Sequence, residues 1–381
     1  MAFPMIEAEV SFGGLEWTLN GPLHKLTHVR GWHVPCSYII AEVSNPHTEL
    51  LNEFMNYGTI TVRYGKDGEY VGPLNFEIIS VENEVEFSNI KVRLIAVEPG
   101  FLRLAEKNRI RSYPNQTVAQ AVGTMAAEAG LQTVGIKETS GTYTFVQPNI
   151  PDMLFISRYL VPIATDSGRN APYLYTIDNN IFHLRPPNLT KQPGFEFIVD
   201  PSNETVVKSF TPHNTGVATD FVYGNQYRTY GYDFNKKGCI LHDQNLSNAN
   251  EFNMNRFTYE SNFNRTEVFP YPEDWMVQAA NRNKIARGQF VVGADATIVG
   301  ESEFFFDQIF QFTMEAFQKQ QTEYTGKYYV YGLSNVLKRR LFVSELDLRS
   351  NAFLKAEQTR APRAQQPAQR VNGRTGGTTR A

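Results

Sequence analysis

The chain has 381 residues, enough for two or three domains at about 100–200 residues each. Hydrophobic residues make up 41 % and charged residues 20 %, which excludes wholesale disorder. A net charge of -3 excludes the strongly basic surface of a protein built to grip DNA. The charge is uneven, because Lys355, Arg360, Arg363, Arg370, Arg374 and Arg380 face only Glu357, giving a tail of +5 and a body of -8. Cys36 and Cys239 are the only cysteines, too few for a disulfide framework and not in a CxxC spacing. The first residues lack a basic stretch followed by an apolar one, so no secretory signal is expected. No apolar run approaches the ~18 residues of a membrane span. The expectation is a soluble protein made in a reducing cytosol.

Residues 6–12 alternate, with Ile6, Ala8, Val10 and Phe12 on one face and Glu7, Glu9 and Ser11 on the other. Gly13-Gly14 and the alternating Leu15, Trp17 and Leu19 complete a hairpin signal, since the tight turn needs positive φ at both central positions. Strands are predicted over Tyr38–Val43, Ile60–Tyr64, Leu74–Val81 and Ile90–Val97. A helix is predicted from Asn45-Pro46 through Leu50, Leu51, Phe54 and Met55 to Gly58. Residues 1–112 therefore read as a small antiparallel β-barrel or sandwich with one helix, the barrel being the preferred reading.

Thr117 and Gln120 form a capping box ahead of Val118, Ala121, Val122 and Met125. A strand over Tyr143–Gln147 precedes a helix opened by Pro151, with Leu154, Phe155, Arg158 and Tyr159 as its expected stripe and Pro162 as its stop. A hairpin follows, Tyr173–Ile177 and Ile181–Arg185 around Asp178-Asn179-Asn180. Residues 113–204 read as an α/β insert module. Residues 205–353 read as a second β-barrel, with strands over Phe290–Val292, Thr297–Val299, Phe304–Phe312, Lys327–Leu333 and Leu341–Leu348. An insertion at 232–287 splits it; its 232–272 part is irregular and a helix runs from Glu273 to about Arg287. Residues 354–381 read as a basic arm that cannot bury enough surface to fold alone. The fold class is mainly β with an α+β insert: two antiparallel β-barrels, a small α/β module and the arm.

Candidate chemistry is sparse. His24, His28 and His33 lie close together, but their stretch reads as loop and strand and has no Glu in the zincin position, so surface histidines are the preferred reading. Cys36 follows Pro35 with histidines nearby; a nucleophile would need a stabilised thiolate, and a small buried apolar group is the commoner role. Glu82, Glu84 and Glu86 alternate, which suits a solvated strand edge better than a catalytic or calcium site. The Asn, Asp, Tyr and Phe of 232–272 suit either sugar binding or packing on a neighbouring subunit. Arg360, Arg363, Arg370 and Arg374 offer bidentate contacts to carboxylates of a protein partner, with DNA as the weaker candidate. No catalytic residue, cofactor or metal is expected.

Three stretches carry a resemblance to a known family. One is Gly31-Trp32-His33-Val34-Pro35 through Tyr38, with Asn45-Pro46 to Tyr57-Gly58. Another is Thr117–Leu131, Tyr143–Gln147 and Asp152–Leu160. The third is Tyr324–Val330 with Leu346–Phe353. In order and spacing they resemble the baseplate hub proteins of tailed bacteriophages and the hub portion of type VI secretion spike proteins. The 232–272 insertion and the tail after Phe353 have no counterpart, and no lysozyme-like or β-helical spike extension is present.

The resemblance implies two barrels alike in shape, so that three chains give six barrels in a closed ring. Such a homotrimer would adapt a sixfold tail tube to a threefold spike. The α/β module, whose two helices each have one apolar stripe, is expected outside the tube wall, holding neighbouring chains, because barrels that line a channel leave little room for helices inside. Implied partners are the tail tube or distal tail protein, the spike, the tape measure and other baseplate proteins. DNA would only pass through the lumen, where an acidic wall repels phosphate. The protein would be made in the bacterial host cytoplasm and end in the virion tail. Alternatives from other classes are a non-enzymatic tail adhesion or carbohydrate-binding protein, and a hydrolase assembled from distant residues.

Overall fold

The structure is a computed structural model. It describes residues 5–44, 58–86, 89–166, 172–188, 191–200, 206–214, 226–233, 238–245, 264–268, 273–287, 292–314 and 324–350. The helix expected after Asn45 and the basic arm lie outside the described residues.

The alternating N-terminus forms β1 (Ile6–Phe12) and β2 (Leu15–Thr18), joined through Gly13 and Gly14 at φ 56° and 83°. There follow β3 (Leu23–Gly31), β4 (Tyr38–Ser44), β5 (Thr59–Lys66), β6 (Glu69–Glu86) and β7 (Asn89–Val97). Their inward side chains, among them Val10, Trp17, Leu26, Ile39, Val62, Phe76 and Leu94, make one core.

The module comprises α1 (Pro99–Glu106), β8 (Asn108–Gln116), α2 (Val118–Glu128), β9 (Tyr143–Pro151), α3 (Asp152–Phe155), β10 (Leu174–Asp178) and β11 (Ile181–Arg185). Thr117 caps α2 and Gln120 closes the capping box, as its sequence predicts. The stripe expected after Pro151 is corrected. α3 passes into a π turn over Ile156–Leu160, then a 3-10 turn over Val161–Ile163. This widened winding buries Met153, Phe155, Ile156 and Leu160, leaving Leu154 half-buried and Arg158 exposed.

The second half holds β12 (Phe195–Val199) and β13 (Val207–Asn214). β14 (Gln226–Asp233), β15 (Gly238–Asn245) and β16 (Asn264–Val268) form a separate three-stranded sheet, so the segment read as irregular contains paired backbone. Helix α4 (Asp274–Arg287) sends Met276, Val277, Ala279 and Ala280 into the module core. The sheet resumes with β17 (Val292–Val299), β18 (Ile309–Met314), β19 (Gly326–Lys338) and β20 (Leu341–Ser350). Phe304–Gln308 is loop rather than strand, though Phe304 and Phe306 are buried.

One 13-stranded sheet carries both halves, and β19 pairs β3 at the seam. The halves repeat. The first runs β3-β4-β7-β6-β5-β1 and the second β13-β17-β20-β19-β18-β12. Their registers agree as well. Hairpin β6–β7 slips between Ile78 and Ser80, and β19–β20 slips between Val330 and Gly332, at the same distance from the turn. β3 slips against β4 between Leu23 and Lys25; β13 slips against β17 between Val207 and Ser209. Such bulges bend a strand, which lets each half wrap its core. The halves differ at one end: β1 joins β5 antiparallel, whereas β12 joins β18 in parallel. Among the described residues no pairing closes either half into the expected barrel. Trp17, Leu19 and Leu23 join the first core.

Candidate functional site

The chemistry concentrates where the two halves and the module meet. The bulge before Lys25 lets Leu23 and Leu26, three residues apart, enter the same core. Beyond them β3 runs antiparallel to β19, from Lys25 opposite Lys338 to Gly31 opposite Gly332. Gly31 has φ +137°, and a Cβ there would lie 2.6 Å from the Tyr331 carbonyl oxygen, so only glycine allows this approach. A buried polar chain crosses the seam. His28 Nδ1 lies 2.8 Å from the Tyr64 hydroxyl, which also accepts from Asn335 Nδ2 at 3.0 Å. Ser344 donates to Asn335 Oδ1 at 2.7 Å. Burial, then the nearby Arg30 charge, lowers the His28 pKa to about 3, so the ring is neutral.

The β10–β11 ribbon is two-faced. Ile177, Phe182 and Leu184 enter the module core, while Thr176, Asp178, His183 and Arg185 face the seam. Arg30 forks onto Asp178 at 2.9 and 2.7 Å and lies 4.4 Å from the Phe305 ring centre. Burial opposes both charges; their mutual attraction outweighs it, holding Asp178 below and Arg30 above the ordinary value. Glu98 takes the amides of Asn179 and Asn180, whose φ values are 51° and 59°, at 2.7 and 3.3 Å, and the Ser37 hydroxyl at 2.9 Å. It thereby fixes the turn that carries Asp178. Burial, then Asp178, raises the Glu98 pKa to about 7. Asp307 gathers Arg185 at 3.0 Å, Lys191 at 3.4 Å and the Tyr329 hydroxyl at 2.5 Å; Trp32 Nε1 donates to Tyr329 at 2.6 Å. Chemically this is a lock of fixed charges and neutral histidines.

The sequence-predicted residues do not converge. His24 is exposed beside the Ser44 hydroxyl, His28 is buried, and the His33 ring lies against the seam glycines. The first two sit on β3, not on a loop. Among the described residues no three His, Cys, Asp or Glu side chains gather as metal ligands. Cys36 is buried, and burial pushes its thiol up to about 12, which leaves no thiolate at neutral pH. Glu82, Glu84 and Glu86 lie along β6 opposite Arg93, Lys91 and Asn89; Glu82 pairs with Arg93 at 3.0 Å. Arg360, Arg363, Arg370 and Arg374 lie outside the described residues. Sequence reasoning missed Arg30, Glu98 and Asp178. Arg30 lies in β3, whose residues from Leu26 to Gly31 are all buried, but that burial is not visible in the sequence, where Asp178 reads only as a turn residue.

The fold is similar to that of phage tail proteins and of a chain in a PdpA–VgrG complex. The chain is similar in structure to a tail protein from Neisseria meningitidis, with a TM-score of 0.65 and 10 % identity over 91 % of this chain and 97 % of that one. It is similar to the 43 kDa tail protein of prophage MuSo2 from Shewanella oneidensis, with a TM-score of 0.61 and 12 % identity over 90 % and 96 % of the two chains. A PdpA–VgrG complex of Francisella gives a TM-score of 0.50 and 8 % identity, covering 91 % of this chain and 58 % of that chain. No family model matches the sequence, and no curated protein matches it.

Proposed function

We propose that the chain is a structural, non-enzymatic baseplate hub of a phage tail. Three copies form a ring that adapts the sixfold tail tube to the threefold spike and leaves a channel for DNA ejection. The observation that carries this reading is the internal repeat. Two halves with one strand order and matching bulges give a threefold assembly six similar walls. The fold likeness to tail proteins supports a place in the virion tail. Partners in this reading are further copies of the chain, the tail tube or distal tail protein, the spike, the tape measure and other baseplate proteins. DNA touches the hub only in passing. The buried lock suits such a part, because a channel wall must hold shape while cargo moves through it. Light scattering of the purified chain tests the reading. A mass of three chains is expected, and a stable dimer or specific glycan binding by the isolated chain would overturn it.

A further inference from the structure

Each half of the sheet carries the same pair of joining edges, and among the described residues only one of each is used. Strand β19 pairs β18 through Gly326–Tyr329 and then, farther along the same edge, pairs β3 through Gly332–Lys338. Its counterpart β6 pairs β5 through Glu69–Glu77. From Ser80 to Glu86 that edge has no strand partner among the described residues. The counterpart of β3 is β13, whose only strand partner there is β17. Burial differs accordingly. Asn335 and Val29 are buried at the seam, whereas the equivalent Asn83 is exposed and the equivalent His213 half-buried.

We propose that Ser80–Glu86 of one copy pairs antiparallel with β13 of a second copy, in the register that the β3–β19 seam defines. Superposing the two hairpins at their turns places Glu86 on Lys338, and superposing the bulges places Ser209 on Lys25. Since Lys25 faces Lys338, Glu86 faces Ser209 of the second copy. By the same step Glu84 faces Thr211, Asn83 faces Pro212 and Glu82 faces His213. Pro212 removes one amide donor from β13, which makes this joint weaker than the seam it copies. The two edges differ, so the contact is head-to-tail and closes a ring only by rotation. The number of copies rests on the hub reading above; the register rests on the repeat alone.

The test is disulfide trapping in the full chain carrying Cys239→Ser. Residues facing each other across an antiparallel strand pair have Cα atoms about 4.5–5.5 Å apart, inside the roughly 4.4–6.8 Å that a disulfide spans. Glu82→Cys with His213→Cys should give, on mild oxidation, a species of three chain masses that collapses on reduction. Mixing the two singly substituted chains should give crosslinked dimers only. Glu82→Cys with Pro212→Cys, whose side chains leave opposite faces, should crosslink at least tenfold less. Light scattering on the same samples separates the two ideas. A trimer without the Glu82–His213 crosslink, or one favouring the Pro212 pair, overturns the joint and leaves the ring standing. A crosslinked closed ring of another size keeps the joint and overturns the threefold hub. A monomer without crosslinks overturns both.

Discussion

Arg30 and Asp178 show how a buried ion pair acts when one partner is removed. The fork is sealed by Phe305, so Asp178→Asn leaves a guanidinium facing a neutral amide out of reach of water. Breaking such a pair from one side costs about 3–5 kcal/mol. Urea unfolding of Asp178→Asn should read a loss of that size. Three neighbouring groups with large shifts shape the pH response. His28 and His183 are pressed to about 3 and 4 by burial first and by Arg30 or Arg185 next. Their contribution to stability is complete above the unfolded value of 6.5 and is lost as pH falls through the folded values. Glu98 works the other way. It keeps its proton up to about 7 in the folded chain, against 4.5 unfolded, so its contribution is complete below 4.5 and is lost as pH rises through 7. Between 4.5 and 6.5 His28 and His183, joined by His33, whose pKa burial also lowers, oppose one carboxyl, so stability rises with pH and turns over near 6.5. Melting scans of Glu98→Gln should show a steeper rise and no decline between 6.5 and 7.

At the scale of elements, the module separates two kinds of local signal. Thr117 is a capping residue whose work is done within one turn, and Thr117→Ala should cost about 1 kcal/mol. Phe155 lies deep, stacked 6.2 Å from Tyr113 and packed on Tyr159, and Phe155→Ala should cost about 3–5 kcal/mol. Denaturant titrations of the two variants check the contrast. The same division decides what the sequence made legible. The Gly13-Gly14 hairpin, the capping box and the Asn179-Asn180 turn follow from a few adjacent residues, and all three form. α1 and β8 went unread because their partners are remote: Leu104 shares its core with residues as distant as Met276, and β8 pairs a strand about 35 residues away. The π winding after Phe155 defeated a reading at 3.6 residues per turn. The lock at the seam went unread for the same reason, since Arg30 meets Asp178 only in three dimensions.

For the whole molecule, the arm after the last strand is the simplest piece to remove. On the hub reading proposed above, truncation after Phe353 should leave the melting temperature and the ring intact and weaken assembly into tails, because its arginines suit carboxylates of a partner. Normal yields of infectious particles from the truncated chain would show the arm to be dispensable. The seam has a different consequence, which lies in time. β3 is among the first strands to leave the ribosome, and its partner β19 follows roughly 300 residues later. At about 5–20 residues per second, β3 waits ~15–60 s for the strand that completes its hydrogen bonds. During that interval its outer edge is open to any other nascent chain. Polysomes crowded with the same message would therefore be the place where misfolded copies arise first.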